Sequence, residues 1–248
     1  MALAPFVLLP PSEGKSLGGG MRTRRGVFDD LLVEHRSALI TSLAAVSGDR
    51  GALERLTHVR GALLDRAGHA LERVVAGDAP VLATWRRYNG VVWAHLDPTT
   101  LKSTQRRRIL VPSALYGVTA GEDPIADYRL TFHASLADCG PLTSYWREPV
   151  TDALLRVVGR HPVVDLLPAE HRRVVDLERI AATTTVITVR FQSADGAKPI
   201  GHAAKAVKGV LARQLLQEGV TSLSSFAWGS WRGAIHDGNI VTITAHGT

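Results

Sequence analysis

Residues 11–16, Pro-Ser-Glu-Gly-Lys-Ser, have the residue types of a phosphate-binding loop. A P-loop ends in Gly-Lys-Ser or Gly-Lys-Thr, has another glycine five residues earlier, and opens a helix at the lysine. Here Leu9 stands where that earlier glycine is needed, and residues 18–20 are three glycines with poor helix propensity. The sequence therefore excludes a P-loop nucleotide hydrolase at this place.

The same loop is predicted to bind an oxyanion in a different way. Residues 6–9 form a short apolar run that ends at two prolines, which indicates a buried strand with the loop at its carboxyl end. Such strand ends are where α/β proteins build sites. Exposed backbone amides, with Ser12, Lys15 and Ser16, would bind the anion. The alternative is a plain turn in which Ser12 is a local cap.

Two further stretches concentrate polar side chains. In residues 86–90, Arg-Arg-Tyr-Asn-Gly, the pair Asn89-Gly90 predicts a tight turn between apolar runs. Residues 112–130 are predicted to form a loop that is too long for a simple connection, and long ordered loops often carry function. Its polar side chains are Ser113, Tyr116, Glu122, Asp123, Asp127, Tyr128 and Arg129.

Residues 203–219 predict an amphipathic helix that stops at a glycine. Its apolar stripe contains Ala204, Val207, Leu211 and Leu215. The opposite side contains Lys205, Lys208, Gly209 and Ala212, with Arg213 at the margin. Two lysines beside small residues would let a ligand approach the helix while the cations reach its anionic groups. A solvated basic face is the alternative.

An enzyme would need acid–base groups among these anion-binding residues. The candidates are Glu13, Lys15, Asp127 and Tyr128, beside Arg129 as an anion anchor. The ten histidines have no metal-site spacing, and neither a nucleophile elbow nor a dinucleotide fingerprint is present. We therefore predict no metal and no cofactor. A haem-binding or iron-binding module is a third alternative, for which no histidine is favoured.

Composition favours an anionic partner. The formal charge is +6, with a pI of about 9.9, which suits nucleic acid or phosphorylated metabolites. The single cysteine, Cys139, fits a reducing cytoplasm, and no apolar run approaches the roughly 20 residues of a membrane span. We expect a cytoplasmic protein without a membrane partner.

The elements that must position these residues change along the chain. Helical periodicity predominates early, in residues 28–46 and 51–77, with a break near Gly61 or Gly68. Apolar, partly β-branched runs predict later strands at residues 109–117, 163–167, 186–191 and 240–245. This order predicts a mixed α+β fold, and the absence of a linker predicts one compact domain over residues 1–248.

In chain order, these stretches resemble motifs of one family, YaaA, also called UPF0246. Residues 11–16 resemble its Ser-Pro-Ala-Lys-Thr opening, residues 88–90 its Tyr-x-Gly element, and residues 113–117 its Leu-Tyr-Gly loop. Further similarity lies at residues 127–130, 145–146, 165–171 and 204–213. Departures are Asp165 in place of Asn, His171 in place of Tyr and Lys208 in place of Arg, so the chain is identified as a divergent, Pro-Pro-Ser-Glu-Gly-Lys-type member.

This resemblance implies a cytoplasmic protein of peroxide-stress defence, associated with limiting free iron. It also implies a compact mixed fold, a positively charged cleft, and DNA binding associated with a helix-hairpin-helix element that the sequence does not locate. It places near the cleft, as phosphate partners, Lys15, Tyr116, Arg129, Lys205, Lys208 and Arg213.

Two hypotheses follow for this cleft. The leading one is DNA binding through phosphate contacts, to which Ser12, Ser16, Asn89 and Ser113 would add polar groups. The rival is an enzyme for a small anionic or nucleotide-like substrate in the same cleft. A deep pocket too small for a duplex would favour the enzyme, and an open groove of duplex width would favour DNA.

Overall fold

A computed structural model describes residues 3–193, 202–236 and 238–245 of the chain. Its strands are β1 (Phe6–Leu8), β2 (Val81–Ala83), β3 (Ile109–Ser113), β4 (Gly117–Ala120), β5 (Pro124–Ala126), β6 (Ser135–Leu136), β7 (Gly140–Pro141), β8 (Val163–Asp165), β9 (Val186–Ser193), β10 (Ala227–Trp228), β11 (Trp231–His236) and β12 (Ile240–Ala245).

Ten α-helices lie within these described ranges. They are α1 (Asp29–Ala44), α2 (Arg50–Thr57), α3 (Ala62–Ala76), α4 (Thr84–Arg87), α5 (Val91–Leu96), α6 (Ser103–Arg106), α7 (Leu142–Val158), α8 (Ala169–Arg172), α9 (Leu177–Ala181) and α10 (His202–Glu218). Short 3₁₀ helices are present at Pro98–Thr100 and Val220–Leu223.

Eight strands form one mixed sheet in the order β10-β11-β12-β9-β8-β1-β3-β4. The five central strands, β12, β9, β8, β1 and β3, run parallel, while β4, β10 and β11 pair antiparallel at the two edges. The sheet with its surrounding helices confirms the predicted α+β class.

The middle of the sheet is buried on both faces, since every residue of β1 and β3 is buried. Leu8 of β1 belongs to the hydrophobic cluster on one face, while Val7 and Leu9 belong to the cluster on the other. Successive side chains of a strand point to opposite faces, so a continuous apolar run is what a sheet covered on both sides requires. This burial fixes β1 between β3 and β8 and thereby the place where the loop after β1 begins.

Most predicted elements are confirmed, with bounds that differ by a few residues. α1 begins at Asp29 and Asp30, whose charges suit a helix N-terminus. The predicted break near Gly61 is the connection between α2 and α3. The predicted strands correspond to β1, β3, β8, β9 and β12.

Two local predictions are wrong. Asn89-Gly90 does not form a tight turn of the predicted kind, because Gly90 has φ −77° and directly precedes α5. Residues 112–130 are not one long loop, because β4 and β5 lie within them. At Asn89 the backbone pairs instead with the loop after β1, because the Asn89 amide donates to the Gly14 carbonyl oxygen (3.3 Å). Within residues 112–130, β4 forms a local hairpin with β3, and β5 pairs with the distant β2.

Candidate functional site

A cleft of about 760 Å³ opens at the carboxyl ends of three neighbouring parallel strands. Its wall contains the loop after β1, from Pro10 to Lys15, then Ala114 after β3, and Pro168 after β8. The segment from Tyr128 to His133, α5 and α10 supply the remaining walls. This is the edge at which open parallel sheets place ligand sites. We call this cavity the main cleft.

The loop that carries Lys15 is held from below by a buried arginine. Arg87 has no exposed surface, and its Nη2 donates to the carbonyl oxygens of Gly18 (3.1 Å) and Pro80 (3.0 Å). The Ser16 amide donates to the Arg87 carbonyl oxygen (2.8 Å). Lys15 also pairs with Tyr88 in an isolated β-bridge. The arginine-rich stretch before Asn89 therefore supports the loop.

Lys15 lies on aromatic rings and has no carboxylate partner among the described residues. Its Nζ is 4.4 Å from the centre of the Tyr128 ring and 5.5 Å from that of Tyr88, and it donates to the Ser12 carbonyl oxygen (3.1 Å). Burial lowers the pKa of Lys15 to about 8, and Arg129 adds to this shift while Asp127 opposes it. An appreciable fraction of this amine is unprotonated near neutral pH.

A buried chain of hydroxyl groups lies under Lys15. The Tyr128 hydroxyl is 2.8 Å from the Tyr88 hydroxyl and 2.8 Å from Ser113 Oγ. Ser113 Oγ also accepts from the Tyr116 amide (3.1 Å), and the Tyr116 hydroxyl accepts from the Ala126 amide (2.9 Å). Burial raises the pKa of Tyr128 to about 12, so its phenol is neutral at physiological pH. Tyr128 thus presents its ring to Lys15 and engages its hydroxyl internally.

Asp127 forms an ion pair with Arg66, a residue that the sequence did not indicate as part of the site. Its Oδ2 accepts from Arg66 of α3 (2.6 Å), and both residues line a smaller cavity of about 140 Å³. Glu13, Lys15 and Arg129 line both this cavity and the main cleft. Arg129 makes no hydrogen bond or ion pair with another residue in the described part of the chain. Lys15 and Arg129 therefore stand where the two cavities meet.

A second half-buried lysine, Lys208 of α10, lines the main cleft near the end of β8. Asp165 ends β8 with no exposed surface and accepts from Arg172 Nε (2.6 Å) and from the Leu167 amide (2.8 Å). Lys208 Nζ lies 5.4 Å from the centre of the Phe191 ring. Burial lowers the pKa of Lys208 to about 8, with Asp165 opposing and Arg172 reinforcing the shift.

The small residues of α10 serve a different purpose from the predicted one. Gly209 and Ala212 are buried, and a Cβ added at Gly209 would lie 2.3 Å from the Val92 carbonyl oxygen. They let α5 pack closely against α10, so the prediction that a ligand approaches the helix at this point is wrong. Lys208 is half-buried beside Phe191, whereas Lys205 is exposed.

Three buried polar atoms of residues that line the main cleft lack a hydrogen-bond partner within the described ranges: Trp93 Nε1, Thr131 Oγ1 and His171 Nδ1. His171 Nδ1 lies 3.2 Å from Oε1 of Glu170 without hydrogen-bond geometry. Burial lowers the pKa of His171, and Glu170 opposes this shift. Buried polar atoms normally have partners, so these three mark unused hydrogen-bonding capacity in the walls.

The structure brings together seven of the predicted site residues around the main cleft: Ser12, Glu13, Lys15, Tyr128, Arg129, Lys205 and Lys208. Asp127 and Asn89 line the smaller cavity. Ser113 and Tyr116 lie beneath the site, and Ser16 is in the loop backbone network. Arg213 is not among the residues that line either cavity and pairs with Asp97 (3.0 Å).

Sequence reasoning did not give a role to Arg66, Arg87, Trp93 or Arg172. The buried Arg87 was visible only as part of a charged stretch, and Arg66 lies 61 residues from its partner Asp127. The spacing of residues along the sequence does not indicate such a contact.

In the described ranges, no three histidine, cysteine or acidic side chains come together as a metal cluster, and no helix is long and apolar enough to cross a membrane.

Fold and site together define an α+β protein with a lysine-lined cleft at the carboxyl ends of its central parallel strands. The family model described as peroxide stress protein YaaA matches residues 6–233, and the chain belongs to this family. A UPF0246 protein of Streptomyces coelicolor is 31% identical over 86% of this chain and 84% of its own length. One of Corynebacterium efficiens is 32% identical over 85% and 84%. One of Porphyromonas gingivalis is 25% identical over 82% and 81%.

Proposed function

We propose that the main cleft binds a small anionic ligand of about nucleotide size, held by its phosphate or carboxylate groups. The observation that carries this proposal is that Lys15, Arg129, Lys205 and Lys208 all line one cavity of about 760 Å³. Ligand pockets for small molecules span roughly 300–1,000 Å³. A duplex would need an open groove, so the size of the cleft favours a small ligand.

The charge and the unused polar atoms support the same proposal. Five basic side chains, with Arg173 as the fifth, line the cleft against two carboxylates, Glu13 and Glu170. Arg129, Lys205 and Lys208 have no ion pair within the described ranges, so their charges are available to a ligand anion. Trp93 Nε1 is a donor without an acceptor, which suits a ligand with carbonyl or ring-nitrogen acceptors.

Calorimetric titration with AMP, inorganic phosphate and adenosine tests this proposal. We expect AMP to bind more tightly than adenosine, and Arg129→Ala to weaken AMP binding about tenfold through loss of a charge-assisted contact worth about 1.4 kcal/mol. Arg232→Ala, at an exposed position that lines neither cavity, is the matched control and should leave binding unchanged. Equal affinity for AMP and adenosine, or an equal effect of the two variants, would contradict the proposal.

DNA binding is the second candidate, and the exposed side chains of Lys205 and Arg173 at the cleft favour it. Contacts of this kind to phosphate give affinity that is independent of sequence and sensitive to salt. We expect Lys205→Ala to weaken binding to unrelated duplexes equally and to reduce the salt slope by about 1. Lys208→Ala should have a smaller effect on duplex binding than Lys205→Ala, because Lys208 is half-buried within the cleft. Duplex binding that is unchanged in Lys205→Ala would remove this candidate. Both candidates keep the cytoplasmic location that the sequence favours.

A further inference from the structure

Lysine is rare in this chain, and most of the lysines that the structure describes line the main cleft. Only five of its 29 basic residues are lysines, and the other 24 are arginines. Lys198 lies outside the described residues; of the other four, Lys15, Lys205 and Lys208 line the cleft, and Lys102 does not. Arginine binds carboxylate and phosphate with two parallel hydrogen bonds and suits anion binding at least as well. Anion binding alone therefore does not explain this choice.

What lysine can do and arginine cannot is lose its proton near neutral pH and react as an amine. Two features activate such an amine: burial against apolar surface, and another cation nearby. Lys15 has both, because it lies on the faces of Tyr128 and Tyr88 and because Arg129 lines the same cavities. Its Nζ has one hydrogen-bond partner among the described residues, the Ser12 carbonyl oxygen, and no ion pair.

Lys15 is better placed for a reaction than the two other lysines of the cleft. Lys205 is exposed, so it lacks the burial that activates an amine. Lys208 is half-buried, and the cation beside it, Arg172, is already paired with Asp165. Lys15 lines both cavities together with Glu13, whose carboxylate has no ion pair in the described ranges.

We propose that Lys15 is a nucleophile that condenses with the carbonyl group of an anionic aldehyde or ketone bound in the main cleft. This inference rests on the proposed anion binding, since Arg129 and Lys208 would hold the anionic group of that substrate. It adds to the proposed function a reacting atom, Lys15 Nζ, and a substrate class, carbonyl compounds that carry a phosphate or carboxylate.

The proposed step is an imine formation in which no oxidant or reductant takes part. The neutral amine of Lys15 adds its electron pair to the carbonyl carbon, and the carbonyl π pair moves to oxygen. The nitrogen loses a proton and the oxygen gains one, which gives a carbinolamine; Glu13 is the group assigned to relay this proton. A proton taken up from solvent water reaches that oxygen, the carbon–oxygen bond breaks, and water leaves as the nitrogen electron pair forms the carbon–nitrogen double bond. The resulting iminium nitrogen then loses its proton to solvent, so no net proton is consumed.

Pyridoxal 5′-phosphate, which has both an aldehyde and a phosphate, is a probe for this chemistry. After incubation with the full chain, borohydride reduction fixes any imine, and peptide mass spectrometry reports labelling at each lysine separately. At pH 8 about half of Lys15 is unprotonated, against well under about 1% of an ordinary lysine. Allowing for the lower nucleophilicity of a weaker base, we expect labelling at Lys15 roughly tenfold faster than at the exposed Lys102.

Binding is measured separately with pyridoxine 5′-phosphate, which has an alcohol in place of the aldehyde. We expect this analogue to bind reversibly and to protect Lys15 from labelling. The ratio of Lys15 to Lys102 in the wild-type protein does not depend on how well any variant folds.

The outcomes separate the two proposals. Binding of pyridoxine 5′-phosphate without faster labelling at Lys15 overturns the nucleophile and leaves the anion site in place. Preferential labelling at Lys208 or Lys205 also overturns it. Labelling that is equal at every lysine, with no binding of pyridoxine 5′-phosphate or AMP, overturns both proposals.

Discussion

Lys15 and Lys208 stand in the same cleft with the same pKa of about 8, yet their surroundings differ. Each has a nearby carboxylate that is already occupied by an arginine: Asp127 by Arg66 and Asp165 by Arg172. Neither lysine therefore has a counter-ion of its own. The common pKa follows from burial at both positions. Because neither ammonium group has a counter-ion, each can pair with an anion of a ligand.

The difference lies in what is fixed around each lysine. At Lys208 the carboxylate is completely buried, with Asp165 0% exposed. At Lys15 the ion pair of Asp127 and Arg66 is 21% and 42% exposed, and the rigid element is the neutral hydroxyl chain under the amine. The Lys208 side is thus built around a buried charge, and the Lys15 side around aromatic rings. Substitutions at the two sides should have different energies.

The largest effect should come from Asp165→Asn. This change leaves Arg172 without its buried counter-ion and removes the one nearby charge that favours protonated Lys208. We expect the free energy of unfolding at pH 7 to fall by about 3 kcal/mol, because the buried carboxylate accepts from both Arg172 and the Leu167 amide, although Arg172 itself is 37% exposed. Urea denaturation monitored by circular dichroism measures this change.

The matched control is Asp152→Asn, which removes the carboxylate from an exposed ion pair with Arg179. It should change stability by less than about 1 kcal/mol. If Asp165→Asn were as mild as this control, Asp165 would not be the charge around which the Lys208 side is organised.

The next effect should come from the lysines themselves. Below pH 8 both carry a proton in a buried site, whereas the unfolded chain holds those protons up to about pH 10.5. The unfolded state therefore binds more protons between pH 8 and 10, and the free energy of unfolding should rise with pH over that range. Above pH 10 the trend should reverse, because Tyr128 keeps its proton up to about pH 12 while unfolded tyrosines lose theirs.

Lys208→Met and Lys15→Met should each stabilise the protein at pH 7 by about 1–3 kcal/mol and remove about half of the rise between pH 8 and 10. Urea denaturation at pH 7, 8, 9 and 10 tests this, with the exposed Lys102→Met as the control that keeps the full rise. Retention of the wild-type slope in either cleft variant would mean that its lysine is not buried in the charged form. Unequal losses would show that the two sides shift the lysine pKa differently.

The surroundings of Lys15 were predictable from the sequence to a greater extent than those of Lys208. The apolar run at residues 6–9 predicted β1 correctly, and Lys15 was placed at its carboxyl end because strand periodicity is a local signal. The helical pattern placed Lys208, Gly209 and Ala212 together on a solvated or ligand-facing side of α10. This is incorrect for Gly209 and Ala212, which are buried. An amphipathic pattern assumes one covered face, whereas α5 covers the small residues on the other side of α10.

The support residues were beyond local reasoning for a physical reason. Arg66, Arg87 and Arg172 act through contacts that depend on how distant segments meet, and in an arginine-rich chain one more arginine carries no signal. Gly209 and Ala212 do carry a signal, because small residues at spacing three on a helix permit close helix packing. The same spacing is also compatible with the approach of a ligand, which is the incorrect prediction made from it. Burial and pairing of charge required the structure.

A smaller effect should come from the hydroxyl chain at Lys15. Tyr128→Phe removes the central hydroxyl and leaves both Tyr88 and Ser113 without that partner, so we expect a loss of about 2 kcal/mol. Tyr88→Phe removes only a terminal hydroxyl and should cost about 1 kcal/mol. Urea denaturation at pH 7 compares the two.

Tyr145→Phe is the control outside the cleft, because its hydroxyl donates to the His35 carbonyl oxygen (2.7 Å) and has the Cys139 thiol as its other polar neighbour. It should resemble Tyr88→Phe. If Tyr88→Phe lowered the free energy of unfolding more than Tyr128→Phe, Tyr128 would not be the central member of the hydroxyl chain. The rigidity of the Lys15 side would then need another source.

The smallest effect on stability should come from Asp127→Asn, and it is the sharpest test of the comparison. Its ion pair with Arg66 is partly exposed, so its loss should cost less than about 1 kcal/mol and vary with salt. Asp127 nevertheless raises the pKa of Lys15, so the variant should titrate Lys15 below pH 8 and leave Lys208 unchanged. Carbon-13 NMR of the lysine Cε positions resolves both titrations. A shift at Lys208, or none at Lys15, would mean that the two sides of the cleft are not electrostatically separate.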